Sequence, residues 1–118
     1  MFEKLLQISA LFDFYGALLT EKQQRCLEMH LFEDFSLSEI GSELGISRQA
    51  VYDIIHRSEQ SLRDYEEKLG LVARHARERE ELRTISQMVQ ELTIKNNDLN
   101  IDEILKRLSN LIGKVREA

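Results

Sequence analysis

Apolar residues recur at intervals of three and four along the first part of the chain. Between Leu5 and Leu19 they form one stripe, which predicts a helix over residues 3–18. The segment Thr20-Glu21-Lys22-Gln23 then has the T-x-x-Q pattern of a capping box, in which the first and last side chains bond each other's backbone amides. It predicts a second helix that reaches Phe32 and places Cys26 in the core.

A second capping box, Ser36-Leu37-Ser38-Glu39, predicts a short third helix that ends at Leu44. Gly45 follows as a residue that readily adopts the left-handed conformation, and Ser47 can cap the next helix. Gly41 leaves room for two helices to cross closely. A helix, a glycine turn and a second helix are typical of the helix-turn-helix, whose second helix lies in the major groove of DNA.

The helix after Ser47 extends well beyond the motif. Apolar and small residues alternate steps of four and three from Val51 to Leu69, which predicts one seam reaching Gly70. The pattern resumes from Leu82 to Leu92, KNNDLN interrupts it, and Asn100 caps a last predicted helix. The chain contains no proline and only five glycines, so a turn-rich β fold is disfavoured. We expect an all-α protein with a helix-turn-helix domain at residues 1–70 and a helical C-terminal extension at 71–118.

The outward face of the second motif helix carries side chains suited to DNA. Arg48 can bond guanine bidentately, Gln49 can bond adenine, and Ser47 and Tyr52 suit phosphate contacts. The predicted DNA-contacting residues are Ser47, Arg48, Gln49, Tyr52, Asp53, His56 and Arg57. The alternative interpretation is an α-hairpin within a helical bundle, in which Arg48 and Gln49 are ordinary exposed residues.

The motif lies in a longer block that resembles a known family. Residues 19–62, LTEKQQRCLEMHLFEDFSLSEIGSELGISRQAVYDIIHRSEQSL, resemble region 4 of the sigma-70 class of transcription initiation factors. The stretches FDFYGALLT, SRQAVYDIIHRSE and YEEKLGL more closely resemble the YlxM family of small bacterial helix-turn-helix proteins, over about residues 8–71.

These resemblances imply different things. The sigma resemblance implies a bundle like sigma-70 region 4, with Arg48, Gln49 and the following helix face contacting DNA. The chain has no separate segment for promoter melting or polymerase docking, so we do not expect an initiation factor. The YlxM resemblance implies an all-helical protein with a regulatory role in the signal recognition particle pathway, whose genes commonly neighbour those of the family.

The charge of the chain opposes simple DNA binding. The net charge is −5, with −3 in residues 1–35, −3 in residues 36–70 and +1 in residues 71–118. Non-specific DNA affinity comes mainly from Lys and Arg that displace phosphate counterions, so one acidic motif should bind weakly. Asp53 either accepts a hydrogen bond from a cytosine amino group or pairs with Arg57 one turn later, which would occupy a scarce basic group.

The C-terminal part suggests how affinity could be gained. Its most basic stretch holds Arg74, His75, Arg77, Arg79 and Arg83. This stretch is either a phosphate-contacting patch or a solvated helix face balanced by glutamates. Apolar residues between Leu92 and Ile112 exceed what short helices can cover alone. They either fold back on the core or pack against a second copy. We expect the second, a homodimer with two recognition helices on one duplex. The expected partners are double-stranded DNA, a second copy, and a signal recognition particle protein or RNA. A non-DNA-binding interaction protein that contacts that protein or RNA is the alternative function.

Other functions have little support in the sequence. One cysteine excludes a disulfide framework, and the three histidines lie on separate predicted segments without metal ligands at suitable spacing. No phosphate-binding glycine loop or nucleophile motif is present. We therefore expect a non-enzyme with no catalytic residues, no cofactor and no metal. No segment has the roughly 20 apolar residues of a membrane span, and the start does not resemble a secretory signal, so we expect a cytoplasmic protein without membrane insertion.

Overall fold

The computed structural model describes residues 2–95 and 101–117, and within these ranges the chain is helical with no strand. The helices are α1 (Phe2–Tyr15), α2 (Glu21–Leu31), α3 (Leu37–Leu44), α4 (Arg48–Leu69), α5 (Leu71–Lys95) and α6 (Ile101–Glu117), with a 3-10 turn at Gly16–Leu18. The all-α prediction is confirmed. Backbone proximity divides the chain into two compact units, Met1–Val72 and Ala73–Ala118. None of the described helices is long and apolar enough to span a bilayer.

Local side-chain hydrogen bonds determine where the helices of the first unit begin. The Gln23 amide donates to the Thr20 hydroxyl at 3.2 Å, and the Thr20 amide donates to Gln23 Oε1 at 3.0 Å. Ser36 and Glu39 form the same reciprocal pair, at 3.1 and 3.0 Å. Both predicted capping boxes are therefore confirmed. Because these bonds use amides that lack partners within the helix, each box favours one starting residue.

The turn between α3 and α4 depends on two glycines. Gly45 has a φ of 71°, in the left-handed region that was expected after α3. The amides of Gly45 and Ile46 both donate to the carbonyl of Gly41. A Cβ atom at Gly41 would lie 2.7 Å from the Ile46 carbonyl oxygen, so only glycine fits without a backbone shift. The predicted close approach at Gly41 is confirmed.

The core of the first unit surrounds α4, which packs against α1, α2 and α3. Its most completely buried apolar residues are Ile8, Tyr15, Cys26, Leu27, Met29, Ile40, Val51 and Leu62. Burial raises the pKa of the Cys26 thiol despite an opposing effect of nearby Lys22, so Cys26 is a protonated core residue. The predicted α4 seam is buried as far as Leu62, whereas Leu69 at its end is exposed.

A hydrogen-bonded group joins α1 to the end of α4 and the start of α5. The Tyr15 hydroxyl donates to Glu66 Oε1 at 2.6 Å and accepts from the Leu71 amide at 3.0 Å. The Val72 amide donates to the same Glu66 oxygen at 3.0 Å. Gly70, with a φ of 61°, lets the chain turn from α4 into α5 here. Two amides at the start of α5 thus gain partners within the first unit.

The second unit contains most of α5 and all of α6. No residue whose side chain is described in 73–92 or 102–113 is buried. Large apolar side chains remain exposed along α5, at Ile85, Met88 and Leu92, and along α6, at Ile104 and Leu111. The predicted interruption after Lys95 and the predicted cap at Asn100 fall at positions 96–100, outside the described residues.

Candidate nucleic-acid interface

The candidate interface is one face of α4. The helix has 22 residues, so it is about 33 Å long, and its first turns follow directly from the Gly45-Ile46-Ser47 turn. Val51, Ile55 and Ser58 face the core. All of the predicted contact residues therefore fall on the opposite, exposed side: Ser47, Arg48, Gln49, Tyr52, Asp53, His56 and Arg57. We call these seven residues the α4 stripe.

The two arginines of the α4 stripe are available for a ligand. Neither Arg48 nor Arg57 forms an ion pair with any residue in the described part of the chain. Asp53 accepts a hydrogen bond from Gln49 Nε2 at 3.2 Å and forms no ion pair with Arg57. The alternative pairing of Asp53 with Arg57 is therefore wrong, because Asp53 bonds the residue one turn before it rather than the residue one turn after it.

The contact with Asp53 also orients the Gln49 amide. A carboxylate only accepts hydrogen bonds, so the NH₂ group of Gln49 must face Asp53 and Oε1 must face away. The NH₂ group keeps a second hydrogen that Asp53 does not use. Gln49 can thus accept from an adenine amino group and donate to the adjacent ring nitrogen, with Asp53 as its support.

The other members of the stripe have more limited options. The Ser47 hydroxyl accepts from the Ala50 amide at 3.0 Å as the cap of α4, which leaves its own hydrogen for a phosphate oxygen. The ring of Tyr52 is half exposed and nearly parallel to that of His56, with a 9° angle and 6.0 Å between centroids. The two rings are stacked at one edge of the stripe.

The structure adds neighbours to Tyr52 and His56 that the sequence did not indicate. Lys4 of α1 and His30 of α2 line the same cleft as these two residues, together with Glu59. The sequence had placed His30 and His56 on separate segments, and the fold brings them to one cleft. No local pattern could show this, since the residues come from different helices. No set of three or more metal-binding side chains occurs within the described ranges.

The basic stretch of α5 is a surface of mixed charge. Arg74 pairs with Glu78 at 3.0 Å, and Arg83 pairs with Glu80 at 3.7 Å, both on the same helix. Arg77 and Arg79 form no ion pair within the described residues. Two of the four arginines are therefore balanced by neighbouring glutamates, as the solvated-face interpretation expected.

The fold and the α4 stripe define a helix-turn-helix protein. The family model "Putative helix-turn-helix protein, YlxM / p13 like" matches residues 2–108. A UPF0122 protein of Listeria monocytogenes serotype 4b is 45% identical over 112 residues, covering 94% of this chain and 99% of the relative. A UPF0122 protein of Thermoanaerobacter sp. is 42% identical over 117 residues, covering 99% and 97%. The chain belongs to the UPF0122 family, which confirms the resemblance to YlxM.

Proposed function

We propose that this protein is a regulatory protein that binds double-stranded DNA selectively, with α4 as its recognition helix. The observation that carries the proposal is the α4 stripe, seven polar and aromatic residues on one exposed face immediately after a helix-turn-helix turn. In this proposal Arg48 and Gln49 read base edges near the start of α4, while Ser47, Tyr52 and Arg57 contact phosphates. We propose that the helices of the first unit are arranged as in region 4 of sigma factors.

The acidity of the first unit supports a proposal that two copies act together. Residues 36–70 carry four basic and seven acidic side chains, so one copy supplies few phosphate contacts. The exposed apolar residues of α5 and α6 offer a surface for a second copy. A two-fold dimer would place two α4 helices on one duplex and double the basic contacts.

Duplex binding is tested by comparing two matched double variants on α4. R48A/Q49A removes the base-reading residues. Q60A/R63A removes the same residue types further along the helix, where Gln60 donates to Asp64 at 3.1 Å just as Gln49 donates to Asp53. We expect R48A/Q49A to weaken selective binding at least tenfold, since one good bidentate contact contributes about 1–3 kcal/mol of discrimination. Q60A/R63A should bind nearly as well as the unaltered protein.

The same titration has outcomes that contradict the proposal. The unaltered protein should bind random duplex DNA at low salt, with affinity falling steeply as salt rises. If no duplex binds even at low salt, or if both double variants lose affinity equally, α4 is not a recognition helix.

The dimer is tested by sedimentation at micromolar concentration. M88E/L92E places charges among exposed apolar residues of α5, and L18E places one at an equally exposed apolar position of the first unit. We expect a dimer that M88E/L92E dissociates and L18E leaves intact. A monomer at all concentrations, or equal dissociation by both variants, contradicts the proposal.

The pathway served is also a proposal. We propose that the regulated process is the signal recognition particle pathway, which places the protein in the cytoplasm. A second candidate function is contact with a protein or RNA of that pathway instead of DNA, and the acidic charge of residues 36–70 favours the protein partner. Titration with the purified particle protein and RNA separates the two candidates. Under the first, R48A/Q49A weakens selective duplex binding, whereas under the second it leaves binding to the particle component unchanged.

A further inference from the structure

A cleft of about 310 Å³ lies beside the α4 stripe in the first unit. Helices α1, α2 and α3 contribute one side chain each to its walls, and α4 contributes four. Its volume is at the small end of the range for sites that bind small molecules. The lining residues are Lys4, His30, Leu37, Tyr52, Ile55, His56 and Glu59.

Glu59 is the nearly buried carboxylate of this cleft. Only 9% of its surface is exposed, yet it forms no hydrogen bond or ion pair with any residue that the structure describes. Every side-chain oxygen that is sealed from solvent in the described parts of the chain has a hydrogen-bond partner. Since the Glu59 carboxylate has none, its oxygens are open to solvent, which reaches them through the cleft. A nearly buried carboxylate is normally paired or bonded to donors. Because its oxygens are open to the cleft, water reaches them in the free protein, and a ligand with adjacent donors could replace that water.

The other walls of the cleft define the shape and charge of what could enter. Tyr52 and His56 present parallel aromatic rings, and Leu37 and Ile55 add apolar surface, so a flat ring can stack here. Lys4 and His30 add an ammonium group and an imidazole, which suit an anionic group. A ligand that fits all three features has a flat ring, hydrogen-bond donors along one edge, and a phosphate.

We propose that this cleft binds an unpaired guanine base together with its phosphate. A carboxylate has two acceptor oxygens and no donor, and guanine offers it two adjacent donors, the N1–H and the 2-amino group. Adenine and cytosine place an acceptor nitrogen beside their single amino group, and uracil has one N–H between two carbonyl oxygens. Guanine is thus the base whose pairing edge matches Glu59, while Tyr52 stacks on the ring and Lys4 meets the phosphate.

The cleft shares Tyr52 and His56 with the α4 stripe. A guanine nucleotide in the cleft would lie against residues that the duplex also contacts, so nucleotide and duplex should compete. This competition rests on the proposed duplex binding, whereas guanine binding itself does not. Titrations without DNA therefore test the cleft separately, and a failure of one proposal is distinguishable from a failure of the other.

The main test is calorimetric titration of the full-length protein with GMP, IMP and AMP. IMP differs from GMP only by the missing 2-amino group, so it should bind about tenfold more weakly, and AMP more weakly still. E59Q should weaken GMP binding about tenfold because an amide cannot accept from both guanine donors. E67Q is the matched control, since Glu67 is an exposed glutamate of the same helix, and it should bind GMP normally. Circular dichroism melts verify that both variants fold.

A second titration tests whether the guanine comes from a nucleic-acid strand or from free nucleotide. It compares a single-stranded oligoribonucleotide that carries one guanine among uracils with the same strand in which inosine replaces the guanine. Preference for the guanine strand over GMP assigns the cleft to a nucleic-acid strand, and the reverse assigns it to free nucleotide. K4M should weaken GMP but leave guanosine unchanged, because only GMP carries the phosphate. If neither GMP nor the guanine strand binds, if inosine binds equally well, or if E59Q has no effect, the proposal is wrong.

Discussion

The two units of the chain differ in how they cover their apolar residues. In the first unit α1, α2 and α3 enclose α4, and residues such as Leu27, Ile40 and Leu62 are fully buried. In the second unit none of the side chains described in 73–92 and 102–113 is buried, although Met88 and Leu92 are large and apolar. The first unit therefore contains the interactions that stabilise it. The second unit has an apolar surface that a further molecule would cover, which is why we propose that it associates with a second copy.

The largest stability effect is expected at Gly41. In G41A the new methyl group would lie 2.7 Å from the Ile46 carbonyl oxygen, which belongs to backbone that cannot rotate away. We expect the free energy of unfolding to fall by roughly 2–3 kcal/mol, as for other overpacked sites, with loss of duplex binding because the turn opens. Urea unfolding measures the first effect and DNA titration the second.

The control for Gly41 is Gly113 in α6, where an added methyl group meets no atom within 4 Å. G113A should not destabilise the protein and should gain up to about 1 kcal/mol of helix propensity. If G41A is tolerated as well as G113A, the close crossing of α3 and α4 does not stabilise the first unit.

The next largest effect is expected at Tyr15. Y15F removes the donor to Glu66 and leaves the Leu71 amide without its acceptor, which should cost about 1–2 kcal/mol. Y65F is the control, because the partly buried Tyr65 contributes only a ring contact with Tyr15 among the interactions described. Urea unfolding of Y15F and Y65F at pH 8 compares the two hydroxyls. Equal stability of Y15F and the unaltered protein would show that the hydrogen bonds of the Tyr15 hydroxyl do not stabilise the start of α5.

Tyr15 also gives a dependence on alkaline pH. Burial, and then the hydrogen bond to Glu66, raise its pKa above the ordinary value of 10.0. Tyr15 therefore ionises first in the unfolded chain, so its contribution is complete below pH 10 and is lost as pH rises toward the folded pKa. The difference in unfolding free energy between pH 9 and pH 11 should be smaller in Y15F than in the unaltered protein.

The structural features that the sequence predicted are those formed by residues a few positions apart in the chain. The capping boxes at Thr20 and Ser36 and the turn at Gly45 each involve neighbours in the chain, so the residue types alone indicate the conformation. The contact of Tyr15 with Glu66 joins residues 51 apart, and periodicity assigned Tyr15 only to an apolar stripe. Long-range polar contacts of this kind have no local pattern that reveals them.

In the candidate interface, too, local features were predicted from the sequence and contacts between helices were not. Helical periodicity was sufficient to select the exposed α4 stripe, because burial of Val51 and Ile55 determines which residues face outward. It could not choose between Gln49 and Arg57 as partners of Asp53, since both lie one turn away. The cleft around Glu59 was missed because four helices contribute to it.

A smaller effect is expected at the cap of α3. S36A removes the hydroxyl that accepts from the Glu39 amide and should cost about 1 kcal/mol at neutral pH. S38A, an exposed serine of the same turn, should change stability by less than about 0.5 kcal/mol. Urea unfolding at pH 7 measures both, and equal losses would mean that helix composition, and not the cap, is responsible.

The cap also predicts a dependence on acidic pH. Hydrogen bonds from the Ser36 amide and hydroxyl lower the pKa of Glu39 below its ordinary value of 4.5. The ionised carboxylate therefore stabilises the fold above pH 4.5, and this contribution is lost as pH falls through the lowered pKa. E39Q should show a weaker fall in stability between pH 5 and pH 3 than the unaltered protein. An identical acid profile would contradict the role assigned to Glu39.

The smallest effect is expected for the ion pairs on the surface of the second unit. The Arg74 and Glu78 side chains are 70% and 52% exposed, so R74A should change stability by less than about 0.5 kcal/mol. Association with a second copy has a different signature, because it makes the unfolding midpoint rise with protein concentration. We therefore expect R74A to keep that concentration dependence and M88E/L92E to abolish it. If dilution has no effect on the unaltered protein, a second copy does not cover the apolar surface, and the proposed association of the second unit is wrong.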